Sequence, residues 1–250
     1  MQAMGIAMET MGQEKRCAVF GASGGIGAAL VAALSVRADV AQVWAGGRSG
    51  VGVPGPKVAS FAFDLLDEAS IAAACAAIGG PLDLVIVATG RLTYADGAGP
   101  EKSTRALSGD HLAEMFAINA AGPALIAKHA LPLLRKDTRA VFAAISARVG
   151  SIGDNRLGGW HAYRASKAAL NMLVRTMAIE LARTHPQALA VTLHPGTVDT
   201  ALSQPFQRGV AAEKLFTADY SAGRMLAVLD GLAPSQSGRL FAWDGAEVPF

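Results

Sequence analysis

A phenol and an amine stand one helical turn apart in the segment Tyr163-Arg164-Ala165-Ser166-Lys167. The i, i+4 spacing puts both on one face of a helix. A phenol titrates near 10 in water and shuttles protons poorly at neutral pH. An ammonium ~5 Å away, at an effective dielectric of ~20, contributes about 3 kcal/mol in favour of the phenolate and draws that titration toward about 8. The pair then suits general acid–base work. Tyr-x3-Lys alone is common and most often a matter of packing, so its weight depends on its company.

That company begins with Gly21-Ala22-Ser23-Gly24-Gly25-Ile26-Gly27, which follows an apolar run and opens a helical one. Gly21, Gly25 and Gly27 permit a tight turn and close approach of the backbone, and a helix N-terminus offers N–H groups and a positive dipole end to a pyrophosphate. The spacing is G-x3-G-x-G rather than the commoner G-x-G-x-x-G. Arg48 lies 21 residues after Gly27, near the interval where a ribose-reading acid usually stands. An acid there repels a 2′-phosphate, whereas an arginine pairs with it as a forked donor. NADP(H) is therefore favoured and NAD(H) is the alternative, with a solvated loop arginine as the plain reading. Asn119 and Pro123 are also four apart; proline has no N–H, so the Asn119 carbonyl loses its helical partner and a kink there exposes an acceptor for water.

These groups need a scaffold. Short apolar runs at 17–20, 40–45, 58–63, 82–88, 140–145, 189–193 and 239–242 read as strands covered on both faces. Helical patterns at 26–35, 68–78, 110–134, 160–183 and 218–229 alternate with them. That order predicts an α/β fold: one Rossmann-like, doubly wound parallel sheet of about seven strands with helices on both faces. Residues 46–56 read as a loop. Residues 1–15 read as a flexible tail before a single domain over 16–250, with a substrate lid at about 198–216.

Composition narrows the class. The chain has 250 residues, 52% hydrophobic and 17% charged, which argues against disorder. A net charge of +2 without a dense basic tract makes nucleic acid a poor partner. Charges interrupt every long apolar stretch, so no membrane span is expected. The Met-rich start lacks the pattern of a signal peptide. Two cysteines, Cys17 and Cys75, cannot build a disulfide framework, and a reduced cytoplasmic setting fits best. No His, Cys or carboxylate cluster has zinc spacing, so no metal site is expected.

Taken together, the Gly21/Gly25/Gly27 turn, Asn119, Ser146, Tyr163/Lys167 and Pro195-Gly196 resemble the short-chain dehydrogenase/reductase family in residue type and order, over nearly the full length. The 17 residues from Ser146 to Tyr163 and the ending Asp244-Gly245 resemble its C-factor/sniffer-like carbonyl reductase branch. The resemblance implies that Tyr163 gives or takes the proton at a substrate oxygen. Lys167 would lower its pKa and hold the nicotinamide ribose, and Asn119 would end a proton relay from the lysine through water. Ser146 would hydrogen-bond the substrate oxygen, a turn or cap serine being the plain reading and Ser151 and Ser166 its rivals.

For the cofactor, the resemblance adds Ser23 and Ile26 in the glycine turn and Asp64-Leu65 at the adenine, where Asp64 could equally cap a helix. It also adds Ala88 and Gly90 after the fourth strand, then Pro195 and Gly196, which end the sixth strand and let the chain approach the cofactor, with Val198 and Thr200 at the nicotinamide carboxamide. Two departures stand out: Phe20 replaces the usual threonine before the first glycine, and Ala88-Thr89-Gly90 replaces Asn-Asn-Ala-Gly. Leu202, Pro205, Phe206 and Phe216 would roof the substrate, with Trp160 on the wall, which favours a carbonyl or alcohol with apolar bulk. His194 reads as packing. The expected activity is hydride transfer between NADP(H) and a carbonyl or secondary alcohol. The alternative is an NADP-binding sensor or signalling protein without essential turnover. The resemblance also implies a homo-oligomer, dimer or tetramer.

Overall fold

The computed structural model describes residues 14–50 and 54–250. In chain order the elements are β1 (Lys15–Phe20), α1 (Gly25–Ser35), β2 (Val40–Gly47), β3 (Val58–Ala62), α2 (Glu68–Ile78), β4 (Leu84–Val87), α3 (Gly109–Phe116) and α4 (Gly122–Ala130). They continue with β5 (Ala140–Ile145), α5 (His161–Leu181), β6 (Ala188–His194), β7 (Thr197–Val198), β8 (Leu215–Phe216), α6 (Ala218–Gly231), β9 (Leu240–Ala242) and β10 (Glu247–Val248). The main sheet has eight strands in the order β10-β9-β6-β5-β4-β1-β2-β3. Seven run parallel, as the alternation of strand and helix patterns predicts. The eighth, β10, is an antiparallel edge too short to leave a signal in the sequence.

Both faces of the sheet are covered, which explains the unbroken apolar strands. On one face Cys17, Val19, Ile86, Val141, Ala143 and Val191 pack with residues of α1 and α6. On the other, Ala18, Phe20, Val85, Phe142, Ala144 and Ala190 pack with residues of α2, α4 and α5. Fully burying one such Val, Leu or Phe stabilises by about 1.5–3 kcal/mol. From β1 the chain winds outward through β2 and β3, then returns to β4 on the other side. The crevice at the carboxyl ends of β1 and β4 is therefore a topological switch point, where open α/β sheets bind ligands. Among the described residues no helix is long and apolar enough to cross a membrane.

Three boundaries differ from expectation. The run at 110–134 is α3, a π-helical turn over Ala117–Ala121, α4 and a 3₁₀ turn over Leu131–Leu133. Pro123 is the reason: it supplies no N–H one turn after Asn119, so the ladder slips to i+5 spacing and the Gly122 N–H bonds the Ala117 carbonyl. The tail reading of 1–15 lies outside the described residues up to 13, whereas Lys15 already belongs to β1. β2 runs through Gly46 and Gly47, the first residues of the expected loop. At Gly46 a Cβ would come within 2.3 Å of the Phe61 ring, so this strand can pass only as glycine.

Candidate active site

The first wall of the crevice is the turn between β1 and α1. Gly21 has φ +92°, and a Cβ on it would meet the Ala88 carbonyl carbon at 2.9 Å. A Cβ on Gly27 would lie 2.1 Å from the Gly21 carbonyl oxygen, so the glycines fix how closely α1 approaches the turn. The Gly21 and Ala22 N–H groups donate to the Gly46 carbonyl at 2.9 and 2.8 Å. No side chain caps α1, and no acid occupies its first turn. Its unpaired N–H groups and positive dipole end therefore face the cavity that Gly24, Gly25 and Ile26 line. From the far side, Thr200 approaches so closely that a Cβ on Gly25 would sit 2.7 Å from its methyl. The Thr89 hydroxyl oxygen is buried beside this turn without a hydrogen-bond partner. A backbone cradle open to an anion, next to an unsatisfied hydroxyl, fits a dinucleotide pyrophosphate.

Beyond the turn, Ser23 rests against Gly47, and exposed Arg48 follows without an acidic partner among the described residues. Asp64 does not cap α2: Asp67 does, its carboxylate accepting from the Ala69 N–H. Asp64 instead accepts from the Leu66 N–H at 2.9 Å and is exposed. Leu65 packs over Gly122 of α4. Of these four, Ser23 and Arg48 flank the glycine turn, and none lines the cavity itself.

The second wall is the face of α5. Tyr163 and Lys167 are both buried, and both line one cavity of about 570 Å³ together with Ser146, Ala88, Gly90, Pro195, Gly196, Val198 and Thr200. The Lys167 Nζ lies 5.9 Å from the Tyr163 ring centre and donates to the Ile145 carbonyl at 2.8 Å. The pair is thus assembled as the spacing predicts, but its electrostatics are not. Burial pushes the Tyr163 phenol up to about 12 and the Lys167 ammonium down to about 8. Desolvation of both charged forms outweighs their mutual attraction, so the expected shift of the phenol toward 8 is reversed in the chain itself.

Asn119 lies in the π-turn, fully buried. Its Oδ1 accepts from the Arg91 N–H at 2.8 Å, and its Nδ2 donates to the Arg91 carbonyl at 2.9 Å and to the Ser166 hydroxyl at 3.2 Å. Ser166 in turn donates to the Tyr163 carbonyl, and Ser151 accepts from the Asp154 N–H, so both rivals of Ser146 take part in structural bonds. A Cβ on Gly90 would lie 3.4 Å from Asn119 Oδ1 and 3.5 Å from Lys167 Nζ, so the two flank one glycine. Ser146 stands directly after β5 as expected, and its hydroxyl donates to Asn171 Oδ1 at 2.7 Å.

The remaining wall is apolar. Trp160, Leu202 and Phe206 line the cavity, with Trp160 edge-on to both Tyr163 and Phe206. Phe216 does not face it; it packs on Trp243 and Tyr220 over Gly196, and Pro205 also lies off the lining. Leu92, Val149 and Val210 complete the wall. Nothing in the local sequence marks them, because they come from three loops that only the fold gathers. His194 lines the cavity too, and burial pushes its imidazole down to about 4, so it is neutral at physiological pH.

The sequence profile of the short chain dehydrogenase family matches residues 15–211. C-signal of Myxococcus xanthus is 37% identical over 181 residues, covering 68% of this chain and 94% of that protein. The crystal structure of NADPH-bound carbonyl reductase from chicken fatty liver superposes with a TM-score of 0.81 at 26% identity, covering 95% of each chain. Carbonyl reductase Sniffer of D. melanogaster has the same fold, with a TM-score of 0.81 at 21% identity over 95% of this chain and 100% of that one.

Proposed function

We propose that this chain, which belongs to the short-chain dehydrogenase family of oxidoreductases, reduces a carbonyl compound with apolar bulk at the expense of NADPH. One observation carries the reading: the phenol and ammonium of α5 share a cavity with an anion-ready glycine turn on one side and an apolar wall on the other. NADPH, when bound, supplies the hydride. The first turn of α1 and the glycine backbone would hold its pyrophosphate, and Ser23 and Arg48 its 2′-phosphate. Lys167 would hold the ribose hydroxyls, and Val198 and Thr200, after the close-approaching Pro195-Gly196 turn, the carboxamide.

Tyr163 then gives its proton to the substrate oxygen as the carbonyl carbon gains the hydride. A phenol pushed up to about 12 is protonated throughout the physiological range, and that form serves reduction. The phenolate left behind regains a proton from Lys167, which Asn119 across Gly90 links to water. Trp160, Leu202 and Phe206 favour an uncharged apolar arm on the substrate.

The test is a panel of aromatic and aliphatic aldehydes and ketones, offered with NADPH or NADH and followed by loss of cofactor absorbance. Turnover with NADPH well above that with NADH is expected. A strong preference for NADH would remove Arg48 from the account, and no turnover of any member would remove the reductase. A second reading, a cofactor-binding signalling protein, draws support from the likeness to C-signal. It requires binding without essential turnover.

A further inference from the structure

The Ser146 hydroxyl has one proton, and the structure shows where it goes. Asn171 Nδ2 donates to the Gly150 carbonyl at 3.4 Å, so the amide atom facing Ser146 is the acceptor Oδ1. Ser146 must donate to it, at 2.7 Å, with both side chains almost wholly buried. A developing alkoxide needs donors, and the Oγ lone pairs left over can only accept. The residue that packs in one cluster with Tyr163, Leu92 and Met115 is the next one, Ala147, which also lines the cavity. Beside the phenol the chain thus presents a methyl group.

We propose that Ser146 is a positioning residue that works through Asn171, and that Tyr163 is the one side chain donating to the substrate oxygen. The inference rests on the reductase reading above. Its logic is a double grip: Ile145 and Ser146, consecutive at the end of β5, are held by Lys167 and Asn171, one turn apart on α5. The grip on Ser146 keeps the Ile145 carbonyl where it fixes the Lys167 ammonium beside Tyr163. It sets the geometry of proton transfer without touching substrate.

The experiment is a double-mutant cycle on the full chain. Ser146→Ala, Asn171→Leu and the double variant are compared in thermal unfolding and in turnover with NADPH and the best carbonyl of the panel. Ser146→Thr, Ala147→Ser and Tyr163→Phe run beside them. The proposal expects each single variant to lower kcat less than about tenfold with KM for NADPH unchanged, the double variant to be no worse than either, and Ser146→Thr to restore the loss. It also expects Ala147→Ser, which adds a hydroxyl beside the phenol, to raise kcat/KM several-fold.

A Ser146→Ala loss of roughly 10²–10³ in kcat, the scale of a missing oxyanion donor, with Asn171→Leu near wild type, overturns it. Full turnover by Tyr163→Phe, or no turnover by the wild type, instead sinks the reductase reading. The unfolding cycle then still decides the pairing: losses that overlap support the grip, and strictly additive losses overturn it.

Discussion

At the residue scale, the proposed chemistry turns on two groups whose charged forms are disfavoured by burial. Between about pH 8 and the ordinary lysine range, the unfolded chain holds a proton on Lys167 that the folded chain has released, so stability rises with pH there. At pH 7 the folded chain instead carries a desolvated ammonium. Lys167→Met is therefore expected to stabilise the cofactor-free chain at pH 7 by about 1–2 kcal/mol, after allowing for the hydrogen bond lost at the Ile145 carbonyl, and to abolish turnover. Urea unfolding at pH 7 measures this; a variant less stable than wild type would mean the ammonium is well solvated. The i, i+4 spacing made the pair legible from sequence. It could not reveal the direction of the shifts, because burial depends on elements far away in the chain. The same holds for Ser146, whose bond partner stands 25 residues later.

At the scale of elements, the break between α3 and α4 does the positioning. A kink near Asn119 was readable because proline removes one N–H at a known offset. Its form, a π-turn, was not, since that depends on the Arg91 backbone clasping the Asn119 side chain. Pro123→Ala restores the missing N–H and lets a regular helix compete for the turn, rotating Asn119 away from Gly90. Turnover is expected to fall about tenfold or more while stability changes by less than about 1 kcal/mol. Unchanged kcat would show that Pro123 is not what holds Asn119 in register. Within the expected lid segment Phe216 was misplaced for a related reason: β7 and β8 are two residues each, and their pairing turns Phe216 onto Trp243 rather than over the cavity.

For the whole molecule, the two ends of the sheet divide the work. At the amino end Lys15, Arg37, Asp39 and Asp230 form an exposed charge network tying β1 to α6. At the carboxyl end the segments after β1, β4, β5 and β6 line the cleft together with the start of α5. Between them lies a core legible in outline, because parallel strands buried on both faces must be apolar throughout. Phe142 is fully buried at its centre, on the α5 side. Phe142→Ala is expected to cost about 3–5 kcal/mol in chemical unfolding, and a loss below about 1 kcal/mol would contradict this packing.

The proposed reduction rests on one proton donor, so the direct measurement is Tyr163→Phe, titrated with NADPH by fluorescence and assayed on the carbonyl panel. Phenylalanine keeps the ring against Trp160 and removes only the hydroxyl. The account predicts NADPH affinity within about twofold of wild type and a kcat lower by roughly 10²–10⁴, the scale of a lost general acid. Turnover within tenfold of wild type, with binding intact, would contradict it.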